Sequence, residues 1–157
     1  MNLKPAISFL RSREFRFYWL PPLLLVAGIM ALASDWGSSQ MTSFFIWFFL
    51  EKHFSPAQLK QINLYLRIAG HILAYGCLYM LWDRAFGEHL GYTRWRSVLW
   101  SLGLCLAVSL MDEGRQYLAP TRTGSLRDVG LDTASASLAA FFSYLSRARQ
   151  VRRKSSP

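Results

Sequence analysis

The chain has 157 residues, of which 52% are apolar, 15% aromatic and only 17% charged. Soluble domains carry about a quarter of charged residues, so the composition argues against an ordinary soluble protein. Its length fits one domain. The two cysteines form no CxxC or Cys/His cluster, which excludes a zinc finger and a disulfide-rich scaffold. The formal net charge of +9 favours a nucleic-acid ligand only if the basic residues share one surface.

Four apolar stretches are long enough for membrane helices, which need about 17–25 residues. A backbone in lipid must satisfy its own hydrogen bonds, so each stretch is predicted to be a helix. The sequence therefore predicts an all-α integral membrane bundle of four transmembrane helices in one domain, residues 1–157. The predicted spans are residues 17–33, 64–82, 97–118 and 126–145, followed by a basic cytoplasmic tail at residues 147–157.

The N-terminal third contains two ambiguous segments. A basic N-terminus followed by Ala31, Leu32 and Ala33 resembles a signal peptide with its cleavage site. The apolar run is longer than the usual signal core and contains Pro21 and Pro22, which favours an uncleaved first helix. The aromatic run at residues 44–50 is too short to span a membrane. It is predicted to be a short interfacial or re-entrant helix between the first two spans.

The distribution of charge predicts the orientation. Four spans place both termini on one side, together with twelve of the 18 basic residues. By the positive-inside rule that side is the cytoplasm, so the chain is predicted to lie in the inner membrane. The C-terminal basic residues then anchor the topology against anionic lipid, and no nucleic-acid partner is expected. Six of the nine acidic residues fall on the outer side, where a site of mixed charge is expected.

Ionisable side chains inside the predicted spans mark a candidate site, because each costs about 2.5–3.5 kcal/mol to insert. Arg67, His71 and Tyr75 are four residues apart and share one face of the second span. The third span ends, and the fourth begins, at the same outer level. The candidate ligand-binding residues are Arg67, His71, Tyr75, Asp112, Glu113, Gln116, Arg122, Asp128 and Asp132.

Several of these residues have simpler interpretations. Asp128 fits a capping box with Ser125 at the start of the fourth span. Asp132 lies one turn deeper, about 6 Å by helix rise, and a purely structural pair with Arg67 or His71 is the alternative to a ligand role. Cys77 and Cys105 are predicted to be packing residues. Small residues at four-residue spacing, such as Gly130 and Ala134, indicate a close helix contact.

The motifs resemble the VanZ-like family of small membrane proteins, named after a glycopeptide (teicoplanin) resistance determinant. The resemblance covers roughly residues 64–142 and implies a bundle of four or five membrane helices. Four positions depart from the family pattern: Ile68 replaces a frequent basic residue, Arg115 a frequent histidine, and Ser135 and Ala136 replace frequent glycines. The matching residues are Arg67, His71 and Tyr75, then Asp112, Glu113 and Gln116, then Pro120, Arg122, Gly124, Ser125, Asp128 and Asp132.

Four functions are compatible with this sequence. The first is binding of an anionic cell-envelope component, such as a lipid-linked precursor, or of a glycopeptide. The second is a structural or accessory protein whose polar residues only lock helix packing. The third is an intramembrane acid–base or metal-assisted enzyme, although no HExxH or GxSxG motif is present and no cofactor is expected. The fourth is a transporter or proton relay. The catalytic candidates are His71, Asp112, Glu113 and Asp132, and the oligomeric state stays open.

Overall fold

The computed structural model describes residues 9–32, 39–118 and 124–154, with side chains except at residues 39–43, 45 and 148–154. All regular structure in these ranges is helical, which confirms the predicted all-α class. The helices are α1 (Phe15–Leu32), α2 (Ser39–Leu50), α3 (Pro56–His89), α4 (Arg94–Leu118) and α5 (Leu126–Lys154).

The start of α1 is a π-helical turn, Phe15–Trp19, and two prolines explain it. Pro21 and Pro22 have no backbone N–H, so the carbonyl of Phe17 has no donor four or five residues later. The Arg84 guanidinium on α3 donates a hydrogen bond to this carbonyl instead. The prolines thus leave a polar group that ties α1 to α3.

The longest helix, α3, extends beyond the predicted span of residues 64–82 at both ends. It begins with a capping box between Ser55 and Gln58, followed by proline at the first helical position. It ends in a π-helical turn, and Gly91, with φ of 64°, turns the chain into α4. The early turns of α3 carry polar residues such as Lys60 and Gln61. Hydropathy therefore marked only the apolar middle of a longer helix.

The centre of the fold is the packing of α3, α4 and α5, with α1 and α2 both packed against α3. α3 and α5 run in the same direction, because Arg67 contacts Asp128 and His71 contacts Asp132 at a constant separation of 61 residues. α4 runs antiparallel to both helices. Cys105 is buried, as predicted for a packing residue. The prediction is wrong for Cys77, which lies on the exposed surface of α3.

The bundle has a polar interior and an apolar surface. Leu73, for example, is 67% exposed, whereas Asp132 is fully buried. Water-soluble proteins show the opposite arrangement, and this one suits a lipid environment. The buried polar side chains are Asp83, Ser97, Ser101, Ser109, Asp112, Glu113, Gln116, Asp132 and Ser135.

Among the described residues, three helices, α1, α3 and α4, are long and apolar enough to cross a membrane. α5 has 29 residues but is less apolar, because it contains Arg127, Asp128 and Asp132 and ends in basic residues. The fourth span therefore stays a prediction. The helix also continues to Lys154, so the predicted tail at residues 147–157 is helical over most of its length.

Candidate functional site

In the described part of the chain, two groups of polar side chains, most of them buried, join α3, α4 and α5, one at each end of the bundle. We call the group that begins near Arg67 the His71 cluster and the opposite group the Asp83 cluster. The His71 cluster consists of Arg67, His71, Ser109, Asp112, Glu113, Gln116, Ser125, Asp128 and Asp132. The Asp83 cluster consists of Asp83, Ser97, Ser143 and Arg147.

Asp132 is the centre of the His71 cluster and is fully buried. Its Oδ1 lies 2.8 Å from Nδ1 of His71 on α3, and its Oδ2 accepts a hydrogen bond of 2.6 Å from the Ser109 hydroxyl on α4. Both contacts suit an ionised carboxylate, which only accepts hydrogen bonds, so Nδ1 carries the hydrogen. The histidine side chain is 17% exposed, and Nε2 is the ring nitrogen left for a ligand. Ser109 was not predicted from the sequence.

Arg67 and Asp128 form a looser pair one helical turn away, with 3.8 Å between Nη2 and Oδ2. Their side chains are 43% and 29% exposed. An ion pair this long and this exposed adds little stability. Arg67 can therefore turn toward a ligand at low energetic cost.

Glu113 fixes the connection between α4 and α5. One carboxylate oxygen accepts a hydrogen bond of 2.6 Å from the backbone N–H of Ser125, and the other accepts one of 3.2 Å from Gln116. Gly124 allows this approach, because a Cβ atom there would collide with the Glu113 carbonyl oxygen. The Gly-Ser part of the family motif thus docks the start of α5 onto the end of α4.

The predicted capping box at the start of α5 is not formed. The Ser125 hydroxyl accepts a hydrogen bond of 3.2 Å from the backbone N–H of Arg127, so Ser125 does cap the helix. The Ser125 backbone N–H, which Asp128 would satisfy in a capping box, bonds to Glu113 instead. Asp128 is consequently oriented toward Arg67.

The remaining candidates occupy different environments. Tyr75 is buried, and its ring lies parallel to the His71 ring at 6.5 Å between centroids. Asp112 and Gln116 are buried on α4. Arg122, like the neighbouring Pro120, lies outside the described residues.

A groove of about 450 Å³ lies along the first half of α3 and reaches the His71 cluster at Arg67. It combines two cationic and two amide side chains with apolar ones. The groove was not predicted from the sequence, although the polar first turns of α3 were a possible signal. The groove is lined by Ala57, Lys60, Gln61, Asn63, Leu64 and Arg67.

The Asp83 cluster was also missed. Asp83 is 4% exposed; its carboxylate accepts hydrogen bonds from Ser97 at 2.6 Å, Ser143 at 3.1 Å and Arg147 at 2.8 Å. The available signal was spacing, because Asp83 follows Tyr79 by four residues and continues the predicted polar face of α3.

The described part of the chain shows no metal-ligand geometry. Among the described residues, no three or more His, Cys, Asp or Glu side chains are grouped so that they could hold a metal ion. His71 and Asp132 are instead partners of each other.

A comparison with protein families decides the assignment, since the VanZ/LLP1 family model matches residues 17–147, most of the chain. The chain belongs to the VanZ/LLP1 family. No curated protein and no solved structure matches it. The family match and three helices able to cross a bilayer identify a VanZ-type membrane protein. The matched region contains both polar clusters.

Proposed function

We propose that this VanZ-family protein binds an anionic cell-envelope component, of which a phosphate-bearing lipid-linked headgroup fits best. The observation that carries the proposal is the groove lined by Lys60 and Arg67, which ends at Arg67, one helical turn from His71. Its volume falls within the range of about 300–1,000 Å³ of small-molecule sites. Arginine binds phosphate in bidentate geometry, and the two groove amides suit sugar or peptide groups.

The carboxylates of the His71 cluster would serve to position this site. Asp132 orients His71, so the imidazole presents Nε2. Glu113 holds the start of α5 against α4 through Ser125. Arg122 lies two residues before Gly124, which makes the close approach to α4, and we propose that it supplies a second guanidinium.

The proposal includes a topology with both termini in the cytoplasm, in the cytoplasmic membrane, with the His71 cluster outside. The positive-inside bias supports it. A fourth span is supported by packing, since α5 contacts α3 near Arg67 and again at Asp83. If α3 crosses the bilayer, α5 lies at the same depth over that length. Phe48 and Phe49 on α2 are 68% and 69% exposed, which suits an interfacial helix.

The test is a binding measurement on the purified protein in phosphatidylcholine nanodiscs, with farnesyl pyrophosphate as a probe for lipid-linked phosphate. Arg67→Ala and Lys60→Ala should each weaken binding about tenfold, the effect of one lost charged hydrogen bond. Arg96→Ala is the matched control, because Arg96 is exposed at the opposite end of the bundle. Equal affinity in all three variants would contradict the proposal. A glycopeptide bound in place of the probe would identify the other predicted ligand class.

A second candidate is a structural role, which the complete burial of Asp132 favours. Both of its carboxylate oxygens are bonded within the protein, as in a packing lock between helices. On this hypothesis His71→Ala and Asp132→Asn reduce the folded yield, and Arg67→Ala changes nothing. Normal yield with lost binding in Arg67→Ala separates the binding function from the structural one.

A further inference from the structure

A small cleft lies at the Asp83 end of the bundle, where α3 ends, α4 begins and α5 packs against both. Two guanidinium groups line it, that of Arg94 from α4 and that of Arg147 from α5. The cleft has no room for a water molecule, so a ligand would lie across its mouth rather than inside it. The mouth is therefore a surface where two cationic side chains from different helices meet.

The charges around this cleft do not balance. The Asp83 carboxylate carries one negative charge, and it already accepts hydrogen bonds from two serine hydroxyls and from Arg147. Arg147 therefore matches that charge. The Arg94 guanidinium lies instead over the ring of Tyr144, with 3.9 Å between its central carbon and the ring centroid. A cation–π contact stabilises the guanidinium but supplies no counter-charge. The mouth of the cleft thus keeps an excess positive charge.

The position of the cleft along α3 corresponds to the level of lipid headgroups. Asp83 follows Arg67 by sixteen residues on α3, which is about 24 Å of helix. The hydrocarbon core of a bilayer is about 30 Å thick, so with Arg67 near one membrane surface Asp83 lies near the other. Trp95 and Tyr144 at this end are 70% and 54% exposed. Exposed tryptophan and tyrosine are typical of the boundary between membrane and water.

We propose that Arg94 and Arg147 bind the phosphate of an anionic phospholipid across the mouth of this cleft. Arg147 contacts Asp83 through Nη2, and its side chain is 39% exposed, so its other N–H groups can reach a ligand. Guanidinium groups suit phosphate because they donate paired hydrogen bonds to its oxygens. The headgroup of phosphatidylglycerol neutralises the excess charge, whereas the choline of phosphatidylcholine adds a positive charge. This site is separate from the groove at the other end. It also differs from the general attraction of the basic C-terminal residues for anionic lipid, because it requires one particular pair of arginines.

The test is thermal unfolding of the full-length protein in a nonionic detergent, with short-chain phosphatidylglycerol or short-chain phosphatidylcholine added at equal concentration. A lipid that binds only the folded protein raises the Tm. The Tm of the wild type should rise by several degrees with phosphatidylglycerol and by less with phosphatidylcholine. Arg94→Gln should lose most of this difference between the two lipids. The substitution leaves the hydrogen bonds of the Asp83 carboxylate in place, so the bundle should still fold.

Arg96→Gln is the matched control, because it removes the same charge from the same turn of α4. Arg96 is exposed, and two positions along a helix place it on a different face from Arg94. This variant should keep the wild-type preference for phosphatidylglycerol. An equal loss of preference in both variants would show that the lipid is attracted by the basic surface as a whole, and it would overturn the proposal. A wild-type Tm that rises equally with both lipids overturns it too, as does an unchanged preference in Arg94→Gln.

Discussion

His71 on α3 and Asp132 on α5 face each other at the same register of two parallel helices, with 2.8 Å between Nδ1 and Oδ1. Arg67 and Asp128 repeat this relationship one turn away. Two parallel helices keep a constant residue offset. Basic residues four positions apart on α3 therefore lie opposite acidic residues four positions apart on α5. The two pairs differ in burial. In the buried pair, Asp132 can orient the His71 ring, and in the more exposed pair, Arg67 can leave Asp128 for a ligand.

The His71–Asp132 pair should show energetic coupling in a double-mutant cycle. Hydrogen bonds between membrane helices average about 0.6 kcal/mol and reach about 1.7 kcal/mol. Because Asp132 is fully buried and the contact is short, we expect a coupling near the upper value. The measurement compares unfolding in detergent of His71→Ala, Asp132→Ala and the double variant. Ser137→Ala is the control and should be neutral, because the Ser137 hydroxyl is exposed and bonds only within α5. Strictly additive effects of the two main substitutions would contradict the coupling.

Arg84 should stabilise the fold chiefly by donating a hydrogen bond to the Phe17 carbonyl. Pro21 and Pro22 leave this carbonyl without a donor in its own helix. Arg84→Met keeps a long apolar chain but leaves the Phe17 carbonyl without this donor, which should cost about 1–3 kcal/mol. Pro21→Ala restores an N–H at position 21, so Arg84→Met should cost less in that background. Unfolding measurements on the four proteins test this. A cost that is the same in both backgrounds would show that Arg84 acts by another contact, such as its position over the Phe17 ring.

Gly124 should be intolerant of a side chain. In Gly124→Ala the new Cβ atom would collide with the Glu113 carbonyl oxygen and displace Ser125 from the Glu113 carboxylate. We expect lower folded yield and weaker binding of the pyrophosphate probe.

Gly130→Ala is the matched control for this substitution, because nothing lies within 4 Å of a Cβ atom placed there. It lies within α5 and should be neutral or more stable by about 0.5–1 kcal/mol. Equal behaviour of the two variants in thermal unfolding would show that the contact between Gly124 and α4 is unimportant.

The sequence predicted the helical architecture because membrane helices are long, apolar and marked by hydropathy. From helical periodicity and an assumed common depth, it also predicted that polar side chains of three helices come together near Arg67, but it left open whether Asp132 pairs with Arg67 or with His71. It did not predict Ser109 or Ser97, because serine is common in membrane helices and its role depends on which acid it meets. The π-helical turn was equally hidden, although Pro21 and Pro22 were noted, because the donor to Phe17 comes from a distant helix.

The fourth span is the feature on which the sidedness of both clusters depends. With α5 across the bilayer, a reporter after residue 120 and a reporter at the C-terminus must lie on opposite sides. An alkaline phosphatase fusion should therefore be active after residue 120 and inactive at the C-terminus, and a green fluorescent protein fusion should show the reverse. α5 packs against α3 at both ends, at Arg67–Asp128 and at Asp83–Arg147. Reporters on the same side would mean that α5 does not cross the bilayer. Its contacts with both ends of α3 would then require α3 to lie outside the membrane, and the apolar exposed surface of α3 argues against that.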